Sequence, residues 1–259
     1  MRHFVKQFLP PVLLDLCRGL RRHLGAPAAA NGVYSPAVEV GGVQWGSFRR
    51  VTPIDPDFGW ARGKPIDRYY IDQFLESRQA DIRGRVLEIA DPQYTQRYGG
   101  DRVTQSDVLH AVEGNPKATL IGDLTTGRGI PASTFDCIIL TQTLLVVYEV
   151  RATLATVARS LRPGGVVLAT FPGISQISRH DMDRWGDYWR FTTLSARRLF
   201  EEVFPPANVQ IGVHGNVLSA MAFLHGLAAE ELKPEELAYH DRDFEVLVTV
   251  RAEKPGDGP

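Results

Sequence analysis

Acidic residues stand at regular stations along the middle of the chain: Glu88 with Asp91, then Asp107, then Asp123. Each station closes a short apolar run, "RVLEIA", "DRVTQSDV" and "KATLIGD" in turn. In an open α/β sheet, ligands bind outside the carboxyl ends of the strands, so acids placed there have a use. A carboxylate after the second strand can accept both hydroxyls of a ribose, two oxygens against two vicinal donors. One after the third strand can take a hydrogen bond from the exocyclic amine of adenine. The same acids also suit helix caps. Singly each is more often a cap; all three in order favour a nucleoside pocket.

A second constellation lies in "SRHDMDRWGDYWRFTTLS", after the fifth apolar run. It gathers His180, Asp181, Asp183, Arg184, Asp187 and Arg190 with Trp185, Tyr188 and Trp189. Aromatic faces and planar polar groups suit a sugar ring, which has an apolar face and a rim of hydroxyls. Upstream, "FGWARGKPIDRYY" offers Arg62, Arg68, Tyr69 and Tyr70. These four suit either covering a ligand or ordinary packing against the sheet.

The elements that must hold these groups follow from the pattern. "PIDRYYIDQFLESRQADIRG" predicts a helix, with Pro65 near its first turn and Gly84 beyond its end. Strands are predicted in "RVLEIA", in "DRVTQSDV" ending at Asp107, in "KATLIGD" ending at Asp123, in "TFDCIILTQTL" and in "GVVLATFP". Between the last two, Val150, Leu154, Val157 and Leu161 recur at helical spacing until Pro163-Gly164-Gly165 stops them. Short apolar strands separated by helices imply a parallel α/β sheet covered on both faces. "NVQIGVHG", the apolar helix "NVLSAMAFLHGLAAEEL" and "DFEVLVTVRAEK" then suit a last strand inserted antiparallel.

Composition bounds the partners. Lys+Arg at 29 against Asp+Glu at 30 gives a net charge of −1, and no basic field argues for nucleic acid. The two cysteines, Cys17 and Cys137, have no CxxC spacing, so neither a zinc site nor a disulfide is expected, and no metal is required. Residues 1–24 read as an amphipathic helix with a basic end, too broken by Lys6, Pro10-Pro11 and Asp15 to span a bilayer. Such a helix suits docking on the domain or on a partner subunit, a second copy included, and also rests well on a membrane surface. Residues 25–64 read as a linker with a small hairpin around Gly41-Gly42, and 65–254 as the main domain.

"VLEIAD", "SDVLH", "GDLTTGRGIPASTFDCIILTQTL", "ARSLRPGGVVLATFPG" and "GDYWRFT", in that order, resemble class I S-adenosylmethionine-dependent methyltransferases. The resemblance covers roughly residues 65–200 and is closest to the methyltransferase-11-like proteins that accompany glycosyltransferases; "STFD" and "LRPGG" are its most specific parts. It implies a Rossmann-like seven-stranded sheet of order 3-2-1-4-5-7-6 with strand seven antiparallel, and S-adenosylmethionine as cofactor. It places Glu88 at the methionine amino end, Asp107 on the ribose and Asp123-Leu124 around the adenine. Thr141-Gln142 would lie beside the methionine and the sulfonium. It implies a cytoplasmic enzyme that methylates a sugar or polysaccharide hydroxyl, with residues 1–24 meeting the inner membrane face or a glycosyltransferase. A hydroxyl needs a base as its oxygen attacks, and His180 beside Asp181 is the candidate pair.

In that family the first acid is followed by glycines at alternate positions, which here are Ala90, Pro92 and Tyr94. Ala90 suits a turn of negative φ, and Pro92 fixes φ and removes an N–H. The turn is therefore expected to run helically from Pro92 with Asp91 as cap, the Tyr94 ring packing beside a bound ligand. Two other functions stay open: a scaffold of this fold without cofactor, in a glycan-assembly complex, and the same fold with other sugar or nucleotide chemistry. A nicotinamide dehydrogenase fits least, since no GxGxxG follows any strand.

Overall fold

The computed structural model describes residues 38–256. The chain divides into units 1–49 and 50–259. In the described part of the first, the Gly42 N–H donates to the Glu39 carbonyl at 2.9 Å and a single 3-10 turn spans Gly46–Phe48. The expected hairpin is thus a turn without paired strands in residues 38–49. The expected helix 1–24 lies outside the described residues.

The second unit begins before the expected boundary at 65, because residues 50–64 bond to it. The Ile54 N–H donates to the His225 carbonyl at 2.9 Å, and the Ala229 N–H to the Lys64 carbonyl at 2.8 Å. Its sheet has seven strands: β1 (Gly84–Ile89), β2 (Val103–His110), β3 (Leu120–Ile121), β4 (Phe135–Thr141), β5 (Leu161–Pro172), β6 (Val209–His214) and β7 (Leu247–Glu253). The order is β3-β2-β1-β4-β5-β7-β6. β1 to β5 run parallel, and β7 pairs antiparallel with both β5 and β6. This is the Rossmann-like methyltransferase topology.

Side chains alternate along each strand, so the sheet builds two cores. One face carries Leu87, Ile138, Leu140, Val167 and Phe171. Helices α2 (Val150–Ser160) and α4 (Thr193–Glu201) cover it through Leu154, Val157, Ala196 and Phe200. The other face carries Val86, Cys137, Ile139 and Leu168. Helices α1 (Ile66–Ser77) and α5 (Val217–Leu224) cover that side through Tyr70, Ile71, Leu75 and Phe223. Both faces of the central strands are therefore buried, which is why their sequences read as continuous apolar runs. Truncating Leu154, fully buried, to alanine would cost about 2–5 kcal/mol.

The start of β1 is pinned by Gly84, whose φ is 65° and whose hydrogen faces the Asp136 carboxylate; a Cβ would lie 2.3 Å from that side chain. Asp136 accepts from the Arg85 N–H at 2.7 Å and pairs with Arg162 at 3.0 Å, tying β1 to β4 and β5. Helix α4 begins at a capping box of Thr192 and Ser195, and α5 at one of Asn216 and Ser219. Two shorter α-helices among the described residues are α3 (Arg179–Met182) and α6 (Pro234–Ala238). Toward β3 the connections between β2, β3 and β4 are turns rather than the expected helices.

Candidate functional site

The five parallel strands deliver Ile89, His110, Ile121, Thr141 and Pro172 to one edge of the sheet. The turn after β1 keeps the left-handed conformation that glycine usually supplies: Ala90 has φ 65°, not the negative value expected. Its N–H donates to the Leu109 carbonyl at 2.9 Å, and its carbonyl accepts from the Asn115 amide at 2.7 Å. Past Pro92 the chain becomes helical and includes a π turn at Thr95–Gly99.

The cap of that helix is Glu88 rather than Asp91. The Glu88 carboxylate is 3% exposed and accepts from the Tyr94 N–H at 3.1 Å and from the Thr95 N–H and hydroxyl at 2.7 Å each. Burial raises its pKa above the usual carboxylate value, while the Thr95 and Tyr94 donors pull it back. Glu88 thus serves the turn, and it lines neither of the two cavities described below. Asp91 pairs instead with Lys117. The Tyr94 ring stacks on Tyr98 at 6.3 Å, and its hydroxyl meets Arg68. That ring packs against the α1 side and does not line either cavity described below.

Asp107 also lies elsewhere than expected. β2 runs three residues past it to His110, and the Asp107 side chain is buried. Its carboxylate accepts from Arg85 at 2.7 Å, Thr119 at 3.0 Å and Gln105 at 3.2 Å. A carboxylate tied to Arg85 inside the sheet cannot reach the strand end. The residue that does reach it is His110. Asp123 stands where expected, beyond β3, with its oxygens held by the Thr125 N–H at 2.8 Å and the Thr126 hydroxyl at 2.9 Å. Burial pushes its pKa up, but these donors outweigh that and leave it below the usual value.

Two cavities open along this edge. The first, about 320 Å³, lies over the ends of β1 to β4 and is lined by Ala90, His110, Asp123, Leu124, Thr141 and Trp185, with apolar walls from Ile89 and Leu109. The second, about 360 Å³, lies toward β5 and α1 and is lined by Trp60, Asp67, Arg68, His180, Asp187 and Arg190. Gln142 and Asp181 line both, so they stand where the two meet.

Gln142 is strained, with φ 49°, and is held by hydrogen bonds from its N–H to Thr170. Its amide nitrogen points to Asp67 over a long 3.5 Å contact, and its Oε1 is buried without a partner. In the structure the amide nitrogen faces Asp67 and the amide oxygen is the atom turned away from it. An acceptor without a donor at the junction fits a ligand that brings N–H or O–H. Asp67 is 8% exposed; burial raises its pKa, against which the Arg68 charge acts.

The loop after β5 is fastened from within. Asp187 accepts from the Ser178 N–H at 2.9 Å and from Arg190 at 2.9 Å, and Arg190 reaches the Gln176 carbonyl at 2.6 Å. Ser178 caps α3 by accepting from the Asp181 N–H, which sets His180 and Asp181 on the second cavity. Other expected acceptor groups point away from it. Arg62 pairs with Glu231, and Tyr69 meets Gln73. Tyr188 and Trp189 pack on Tyr148 at 5.4 and 5.7 Å, as an exposed outer cluster. Neither lines either of these two cavities, whereas Trp185, Arg68 and Arg190 do. The sequence reading missed Trp60, Asp67 and His110. Asp67 and Trp60 stand in the quoted "FGWARGKPIDRYY", and "SDVLH" ends on His110.

Residues 81–169 match a family model described as a methyltransferase domain. Among solved structures, the chain is similar to phosphoethanolamine N-methyltransferase 2 of Haemonchus contortus in complex with S-adenosyl-L-methionine. Identity is 12% and TM-score 0.45, over 69% of this chain and 52% of that one. It is similar to N-methyltransferase NodS of Bradyrhizobium japonicum in complex with S-adenosyl-L-homocysteine (15%, TM-score 0.46, 78% and 95% covered). It is also similar to the [4+2]-cyclase SpnF (17%, TM-score 0.48, 76% and 84% covered). The chain spans about half the length of the Haemonchus protein. No curated protein matches the sequence.

Proposed function

We infer that this chain is a class I S-adenosylmethionine-dependent methyltransferase, a reading supported by its sheet order and by the methyltransferase-domain match over residues 81–169, and that it methylates a hydroxyl of a sugar or polysaccharide intermediate. The observation that carries the reading is the junction of the two cavities at Gln142 and Asp181. A donor and an acceptor held in adjoining cavities meet only there.

The cavity over β1 to β4 suits the cofactor. Ile89, Leu109 and Leu124 offer apolar walls to adenine, and the left-handed turn at Ala90 keeps the backbone path of the glycine turn. The unpartnered Gln142 Oε1 suits an ammonium or hydroxyl donor. Bound there, S-adenosylmethionine supplies a methyl group activated by its positive sulfur.

The second cavity suits the acceptor. Trp60 offers a ring face, Arg68 and Arg190 offer planar donors, and Asp181 stands at the junction with His180 beside it in sequence. In this reading Asp181 or His180 takes the hydroxyl proton as the oxygen attacks. Residues 1–24 are assigned to docking, on a glycosyltransferase or a membrane face; among the described residues no helix is long and apolar enough to cross a membrane.

The test is methyl transfer from isotope-labelled S-adenosylmethionine to a panel of mono- and oligosaccharides, read by mass spectrometry. O-methylated product that is lost in Asp181→Asn with cofactor binding intact is the expected result. Transfer to amines alone would overturn the acceptor class.

A further inference from the structure

In sheets of this kind the acceptor for a ribose hydroxyl follows the second strand, about 20 residues beyond the first turn. No carboxylate of β2 or of the turn after it lines the cavity over β1 to β4: Glu113, three residues beyond the strand, stands exposed outside it. Asp107 is held inside the sheet by Arg85, and both oxygens of Asp123 are engaged by Thr125 and Thr126. The last residue of β2 is His110, and its ring lines the cavity over β1 to β4.

The ring's tautomer follows from its neighbours. His110 Nδ1 lies 2.7 Å from the Val112 carbonyl oxygen, which can only accept, so Nδ1 carries the proton. The Val112 N–H lies 3.4 Å from the same nitrogen, a much weaker geometry for the opposite assignment. A neutral imidazole protonated at Nδ1 presents Nε2 as a bare acceptor, and no described residue donates to it. Trp185 meets the ring edge to face, 5.9 Å between centroids at 83°, and fixes its plane. The charged groups lining the same cavity are Asp123 and Asp181, and neither bonds to His110.

We propose that His110 Nε2 accepts a ribose hydroxyl of the cofactor, an imidazole standing where a carboxylate would be expected. The inference rests on the cofactor reading above. One acceptor atom replaces two, so His110 reads one of the two ribose hydroxyls and leaves the other unread at this position.

Calorimetric titration with S-adenosylhomocysteine and its 2′-deoxy and 3′-deoxy analogues tests this in the wild type, His110→Phe and His110→Asp. His110→Phe keeps a ring for Trp185 to pack on but has no acceptor, and a thermal melt checks its fold. The wild type is expected to bind one deoxy analogue about 3–10-fold more weakly than the parent and the other nearly as well. His110→Phe should bind the parent weaker by a similar factor and lose the discrimination; His110→Asp should discriminate against both analogues. Unchanged discrimination in His110→Phe, with tight binding of the parent, overturns the inference alone. No binding of S-adenosylhomocysteine by the folded wild type overturns the cofactor reading and the inference together.

Discussion

Replacing Ala90 with glycine should stabilise the protein. Ala90 adopts φ 65°, where an L side chain costs about 1–2 kcal/mol. Glycine relieves that strain but frees the unfolded chain by about 0.4–1 kcal/mol. The Ala90 side chain is exposed, so little packing is lost, and both of its backbone hydrogen bonds remain. The difference favours the variant by about 0.8 kcal/mol, the middle of a range of about 0–1.6 kcal/mol. For a domain of this size that is a rise of roughly 1–4 °C in melting midpoint. Ala155→Gly is the control: Ala155 is exposed in the middle of α2, and glycine there should lose about 1 kcal/mol. Urea denaturation measures both variants. A loss at position 90 equal to that at 155 would refute the left-handed turn after β1, and with it a glycine-like backbone path without glycine.

Glu88→Ala leaves two backbone N–H groups and the Thr95 hydroxyl without their acceptor in a buried turn, and should lose about 2–4 kcal/mol in urea denaturation; a loss below about 0.5 kcal/mol would show the turn does not depend on it. His214, whose Nδ1 is buried without a partner, has its pKa lowered to about 4 by burial and by the neighbouring His240. It is neutral when folded and gains its proton near 6.5 when unfolded, so stability is greatest above that value and falls as pH drops toward about 4, by roughly 3 kcal/mol at most. Urea denaturation across that window in the wild type and in His214→Phe, which removes the proton site, checks it: the variant should lose most of the slope, and an equal slope would assign it to other groups. Asp187→Ala removes the acceptor that holds Ser178 and Arg190, so limited proteolysis should cut faster within 175–190; unchanged protection would place the fastening elsewhere.

The sheet was legible because each central strand is buried on both faces and so stands out as an apolar run. The antiparallel last strand was legible from its place after the apolar helix α5 and from the resemblance. What the runs did not reveal is where a strand ends when a polar residue belongs inside it. Asp107 looked like a terminus because it is charged. Its partner Arg85 sits on the neighbouring strand, a pairing that spacing along one strand cannot register. Ala90 differs in the opposite way: its residue type argues for negative φ, while its N–H bond to the Leu109 carbonyl and the Asn115 amide bond to its own carbonyl hold the backbone left-handed. At the acceptor side, Tyr188 and Trp189 were drawn to the site by composition, yet Tyr148, far from them in sequence, gathers both on the outer surface. Asp67 has no signal in its own segment, where aromatic and basic residues surround it; the fold brings it beside Gln142, 75 residues away in sequence.

The central claim is that the cavity over β1 to β4, rebuilt without glycines, binds the cofactor. Isothermal titration of the purified full chain with S-adenosylmethionine, and separately with S-adenosylhomocysteine, tests it most directly. Saturable binding of both at one site per chain, each raising the melting midpoint, is the predicted result. Absence of heat and of any midpoint shift, with both ligands at millimolar concentration and the protein folded, would contradict it.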